Sequence, residues 1–273
     1  MDDLQEQQSQ DIQNMGKFIF VSSWTDDSIE SIPMWKMYTQ KHEGVRIKLA
    51  VNPFKTYTTT AEEISKELYF PVKEDYINKD IFEKQLIVSS KEIFNDSYTL
   101  DNYIIGDQLQ KVTYTDDIDI LNPKLLNLND DFNLNLDKLG INKNKYWSFQ
   151  KEWRYRLMIQ PVSSKIIPST CIKNAFENIN RLSTLSKITN ALIRNQVIYP
   201  QKLDGFQKDI KKGIAALPFD YYDLKISDDA FNTMEIMLAP DISESSEDII
   251  NMLVEKYSPN AKIIRSNLDK QIR

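Results

Sequence analysis

Residues 149–159, FQKEWRYRLMI, alternate with a period of two, which gives two distinct faces in an extended chain. Trp153, Tyr155, Leu157 and Ile159 share one face. Glu152, Arg154 and Arg156 share the other, with Gln150 in line if the strand begins that early. Such a strand commits the chain to a sheet with one covered apolar side. Its charged side is either a solvated outer surface or the wall of a polar cleft.

Other segments supply partners. KFIFVSSW (17–24) reads as a strand, and a helix is expected from about Ile32 to Lys41, with Pro33 in its first turn and Gly44 placed to end it. VRIKLAV then alternates, with Val45, Ile47, Leu49 and Val51 expected to face inward. KTYTTT and KELYFPV are further strand candidates, and 75–94 has the length and spacing of a helix. LQKVTYTDD (109–117) reads as a strand leaving into an acidic turn, and the Asn-, Asp- and Leu-rich stretch 122–144 as a loop with short turns. Residues 171–195 read as an amphipathic helix. TMEIMLAP, a helix capped within 243–248 and ending near Tyr257, and AKIIRS form a β-α-β close. The fold class expected is α+β: a twisted, mostly antiparallel sheet core with flanking helices and a C-terminal β-α-β closure. Residues 1–16 are expected to be a polar, disordered leader and 17–273 a single domain.

Composition removes classes of chemistry. One His and one Cys among 273 residues cannot build a His/Cys zinc site, and no metal site is expected. A His-dependent triad would have to use His42, better read as a solvated or capping residue at a helix end. There is no Walker loop and no G-x-G-x-x-G. The net charge of −6 gives no global basic field, so a nucleic-acid contact would need a local patch. No apolar run approaches the ~20 residues that span a bilayer, the start is polar and acidic, and Cys171 has no intrachain partner; a cytoplasmic location is expected.

Four segments together resemble a bacterial domain-of-unknown-function family, number 2971: FVSSWTDDSIESIPMWKMYTQKHEGVRIKL, LQKVTYTDD, KYWSFQKEWRYRLMI and MEIMLAPDIS. Met34-Trp35-x-x-Tyr38 and Glu152-Trp153-Arg154 carry the resemblance, which runs from about residue 18 to 268; Gln150 stands where the family pattern has a first Glu. The motif order is in turn similar to that of the ADP-ribosyltransferase fold, with Ser22 and Ser23 in the place of its serine run and Gln150 to Glu152 in that of its Gln/Glu-x-Glu. That fold's early Arg or His is not found, since the first arginine is Arg46.

The resemblance implies an NAD-dependent ADP-ribosyltransferase-like effector, such as a bacterial toxin or phage-defence protein, with NAD as substrate. Its target would be a nucleic acid or a protein, and a neutralising antitoxin or chaperone is a further expected partner. Glu152, Gln150 and Tyr38 would be catalytic; Ser22, Ser23, Trp35, Arg154 and Arg156 would bind the cofactor. A fixed carboxylate near the ribose stabilises the oxocarbenium character that builds as nicotinamide leaves. Each residue also has a structural alternative. Glu152 pairs with Arg154, Arg156 or a neighbouring strand's cation; the serines cap the next helix; Trp35 and Trp153 are core. On this reading Tyr38 reaches the pocket while Trp35 is structural. The alternatives to the enzyme are a partner-binding module of the same fold and a metal-dependent nuclease using acidic clusters such as TDD. If Glu152 is partly exposed, Glu152→Gln should leave folding intact, since such a pair is worth about 0–1 kcal/mol.

Overall fold

The computed structural model describes residues 10, 14–39, 43–68, 82, 84–93, 95, 97–127, 133–134, 136–161, 209, 212, 215–269 and 271. Its longer strands are β1 (Ile19–Thr25), β2 (Val45–Lys48), β3 (Thr99–Asp101), β4 (Leu109–Lys111), β5 (Thr113–Thr115), β6 (Asn142–Asn144), β7 (Glu152–Gln160), β8 (Glu235–Leu238) and β9 (Lys262–Arg265). The α-helices are α1 (Ile32–Tyr38), α2 (Ala61–Leu68), α3 (Ser90–Ile93), α4 (Ile118–Leu121), α5 (Asp228–Asn232) and α6 (Glu244–Tyr257). The class is mixed α+β with mostly antiparallel pairing, as expected. Within the stretch the sequence reading treats as one domain, the chain forms two compact units. The first takes Met1–Trp24 and Thr56–Asp223, the second Thr25–Lys55 and Leu224–Arg273.

In the first unit β7 is the central strand: β1 lies on one side, β3 and β4 on the other, both antiparallel to it. β4 pairs with Trp153–Tyr155 and β3 with Met158–Gln160, so one long strand carries two short ones end to end. Val112 breaks the LQKVTYTDD strand in two, and β5 goes on to pair in parallel with β6. The acidic turn behind it is a helix start, where the Asp117 carboxylate accepts from the Asp119 amide at 2.9 Å. Met15, Phe18, Leu125, Leu136, Leu139 and Met158 form a buried cluster here. Met15 therefore belongs to the core, although residues 1–9 and 11–13 of the expected leader lie outside the described residues.

The second unit's sheet runs β9-β8-β2, with β8 parallel to β9 and antiparallel to β2. Alternation along β8 sorts the core into two layers. Ile236 faces Met234 and α6 residue Val254, joined by Val45, Leu49, Ile250 and Ile263. Met237 faces Trp35 of α1, joined by Ala239 and Ile264. The β8-α6-β9 close forms as expected, with Ser243 Oγ accepting from the Ser246 amide at 3.3 Å.

Several local expectations are corrected. α1 ends at Tyr38, so Gly44 does not terminate it; instead a Cβ at 44 would fall 2.6 Å from Thr39 Cγ2, and glycine permits that approach. The strand after it stops at Lys48, and Ile47 and Val51 are 44% and 71% exposed rather than facing inward. Residues 66–68 of KELYFPV belong to α2, not to a strand. Residues 84–89 are not helical: Leu86, Ile87 and Val88 are consecutive and all buried, and Leu86 bridges both Tyr57 and Ile104. The stretch 122–144 holds a short antiparallel pair, 126–127 with 133–134, a 3-10 turn and β6. His42, Cys171 and the helix expected over 171–195 lie outside the described residues. Among the described residues no helix is long and apolar enough to cross a membrane.

Candidate functional site

Asn144 begins the site. Its side chain accepts from the Tyr146 amide at 3.1 Å and caps a 3-10 turn, Lys145–Gln150. Lys151 closes that turn in the left-handed region (φ 46°), its amide reaching Ser148 O at 3.2 Å. This reversal makes Glu152 the first residue of β7, so Gln150 is not in line on the strand; it is buried at the end of the turn. Glu152 is fixed at both backbone groups: its amide donates to Tyr114 Oη at 2.8 Å, and its carbonyl accepts from the Val112 amide at 2.9 Å.

The carboxylate is fixed as tightly. Arg154 Nε donates to Oε1 at 2.7 Å and Lys143 Nζ donates to Oε2 at 3.1 Å, and the Ser23 hydroxyl of β1 further favours the ionised carboxylate. Glu152, Arg154 and Lys143 are each about 95% buried, with side-chain exposures of 5–6%. Burial pushes the carboxyl up, but hydrogen bonds from Arg154 and Ser23 and the charges of Arg154 and Lys143 outweigh it. The net result is a group held below the usual glutamate range, ionised at neutral pH.

The charged face of β7 is therefore covered rather than solvated. Residues 137–140 form part of the cover: Arg154 Nη1 donates to Gly140 O at 3.1 Å, and Arg156 Nη1 to Asp137 O and Leu139 O at 2.8 and 2.7 Å. Arg156 Nε is buried with no hydrogen-bond partner, and burial pulls this guanidinium below its ordinary value. Gly140 (φ 73°) packs where a Cβ would meet Ile19 Cγ2 at 2.9 Å and Arg156 Cδ at 3.5 Å.

Ser22 lies beside Ser23 on β1, where its Oγ accepts from Trp24 Nε1 at 2.9 Å, and the Trp24 ring meets Tyr155 edge-on at 6.3 Å. Trp153 is half-buried, not fully buried, and its indole N–H has no partner; Lys111 Nζ lies 5.6 Å from its ring. The structure thus brings Glu152 and Arg154 into direct contact with Ser23 near enough to favour the ionised carboxylate, and buries Gln150 and Arg156 on the same chain segment. Trp35 and Tyr38 belong to the other unit. There Trp35 is core, its Nε1 donating to Glu30 at 3.1 Å, while Tyr38 is 64% exposed. Sequence reasoning missed Lys143, which sits in a stretch without periodicity, and Tyr114, whose strand is visible but whose hydroxyl contact is not. Among the described residues no three His, Cys, Asp or Glu side chains gather as a metal-holding group.

Residues 34–155 match the model of a family described as "Protein of unknown function (DUF2971)". Over those residues the chain is similar to DUF2971. The matched stretch begins at Met34 of the Met-Trp-x-x-Tyr helix and ends at Tyr155, just past Glu-Trp-Arg, so it includes both motifs and Lys143 but not Ser23. No curated protein and no solved structure matches the chain.

Proposed function

We propose that the protein is an NAD-dependent ADP-ribosyltransferase-like effector, of the kind that serves as a bacterial toxin or phage-defence protein, with Glu152 as its essential carboxylate. The observation that carries this reading is the Glu152 carboxylate at the start of β7, fixed by Arg154 and Lys143 and kept ionised with help from the Ser23 hydroxyl of the adjacent β1. A carboxylate oriented in this way and kept ionised suits a reaction in which positive charge develops on a ribose. Nicotinamide departs with the electron pair of the C1′–N bond, the charge passes to the ribose ring, and a target nucleophile bonds to C1′ and releases its proton. Glu152 opposes the developing charge throughout. In this reading Gln150 shapes the same end of β7, and Arg154 sets the carboxylate's orientation.

The test is nicotinamide release from NAD, with candidate nucleic-acid and protein targets present and absent. Glu152→Gln should lower the rate by about 10²–10³, the usual effect of removing one well-placed electrostatic group. Ser23→Ala is the companion variant, because it removes the hydroxyl that favours the ionised carboxylate without removing the charge on which Lys143 and Arg154 depend. It should slow release while the circular dichroism spectrum stays that of the parent. No release with any target, or release unchanged in both variants, overturns the assignment.

The near-complete burial of Glu152 favours a second reading, a partner-binding module in which Lys143–Glu152–Arg154 is a structural ion cluster. That reading expects the parent protein itself to be fully inert toward NAD with every target offered.

A further inference from the structure

In a chain of net charge −6, residues 141–151, INKNKYWSFQK, carry Lys143, Lys145 and Lys151 and no acidic residue. The fold sets this stretch as β6 followed by the 3-10 turn, and the turn presents its rings instead of burying them. Tyr146 is 79% exposed and Phe149 40%, with half-buried Trp147 beside Phe149 at 6.1 Å between ring centroids and 36° between planes. Lys143 Nζ, the same atom that holds Glu152, lies 5.2 Å from the Trp147 ring and braces it. Lys145 and Lys151 are exposed at the two ends of the turn, and Lys111 is exposed on β4 opposite Trp153. Single exposed apolar residues need no explanation, but adjacent aromatic faces interleaved with lysines form a surface of defined chemistry. Rings take flat π-systems, and ammonium groups take phosphates.

We propose that the turn Lys145–Gln150 is a stacking platform for single-stranded nucleic acid. Bases lie on Tyr146 and on the Trp147–Phe149 pair, and phosphates are held by Lys111, Lys145 and Lys151, with Lys145 exchanging its exposed partner Asp116 for a phosphate. The platform adjoins Glu152 through Lys143. As the acceptor of ADP-ribose this strand rests on the transferase reading above; the binding itself does not.

Fluorescence anisotropy with labelled oligo-dT and oligo-U 12-mers, full-length protein and no NAD tests it. Three phosphate contacts predict a log–log salt slope of about −2, hence about 20-fold weaker binding at 200 mM than at 50 mM salt. Tyr146→Ala and Phe149→Ala should each weaken binding about 5- to 100-fold with an unchanged melting temperature, and Tyr146→Phe should restore it. Lys151→Ala should reduce the magnitude of the slope by about 0.7. A duplex should bind more weakly than either strand, because paired bases offer no free face. The proposal is overturned by no binding at low salt, by affinity indifferent to both ring deletions, or by duplex binding as tight as single-strand binding. It is equally overturned if the ring deletions abolish contact with a protein partner while oligonucleotides never bind. Nicotinamide release without oligonucleotide binding removes the platform and leaves the transferase reading; binding without release does the converse.

Discussion

Asp101 ends β3 opposite Met158 of β7, where it is buried, and Gln160 Nε2 donates to its Oδ2 at 3.1 Å. Desolvation pushes its carboxyl from 3.8 up to about 7, Asp137 adds repulsion, and the Gln160 hydrogen bond offsets part of the rise. The buried Tyr103 phenol is raised in turn, first by burial and then by Asp101. Because the folded value lies above the unfolded one, the native state binds the extra proton between about pH 4 and pH 7. Stability is therefore full below that window, falls through it as pH rises, and is flat above it. Each tenfold in proton affinity is worth about 1.4 kcal/mol, so the whole window costs about 4 kcal/mol, and about 3 kcal/mol of this lies between pH 5 and pH 8. Asp101→Asn keeps the shape and a hydrogen bond to Gln160 but cannot ionise. Urea unfolding followed by tryptophan fluorescence at pH 5 and pH 8 isolates the residue, since Trp24, Trp147 and Trp153 belong to the same unit. The parent should lose about 3 kcal/mol more than Asp101→Asn over that interval, and the variant should be the more stable at pH 8. Equal pH dependence in the two proteins would refute the desolvation argument.

Glu152→Gln should unfold more readily by about 3–5 kcal/mol, because it leaves Lys143 and Arg154 buried without their anion; this replaces the small effect expected for a partly exposed pair, and chemical denaturation measures it. The Glu152 carboxyl is held below 4.5, so its contribution is present above that pH and lost on acidification, and Glu152→Gln should blunt the acid limb of a stability–pH curve. Gly140→Ala should cost about 1–3 kcal/mol in melting experiments, since alanine disfavours φ 73° and its methyl would crowd Ile19. Trp153→Phe should stay within about 1 kcal/mol of the parent because it removes an unsatisfied buried N–H, whereas Trp35→Phe should be worse because it strips Glu30 of a donor.

The elements legible in the sequence are those whose signals are local. β7 shows its period, α6 has Ser243 as its cap, and α1 has Pro33 in its first turn. The failures share a tertiary cause. Residues 86–88 form an apolar run with no period, and bridges from Leu86 to Tyr57 and Ile104 draw them into extended structure where spacing suggested a helix. The charged side of β7 could not be assigned to surface or interior, because its cover at 137–140 comes from a stretch with no pattern of its own. The Gln-x-Glu spacing implied a shared face, and one left-handed residue, Lys151, removed it. Of the candidate site, the pairing of Glu152 with Arg154 is among the structural alternatives the sequence offers and Ser23 among its candidate residues, while Lys143 and Tyr114 reach Glu152 only through tertiary folding.

β8, the central strand of the second unit, is made late. β2 leaves the ribosome first and pairs with a strand about 190 residues downstream. At about 5–20 residues per second of synthesis, β2 waits about 10–40 s for its partner. During that interval both of its edges are open to any other extended chain, and Arg46 and Lys48 are the charges that discourage such pairing. A message cut between residues 48 and 235 would release every copy in that state, with β2 complete and its native neighbour never made.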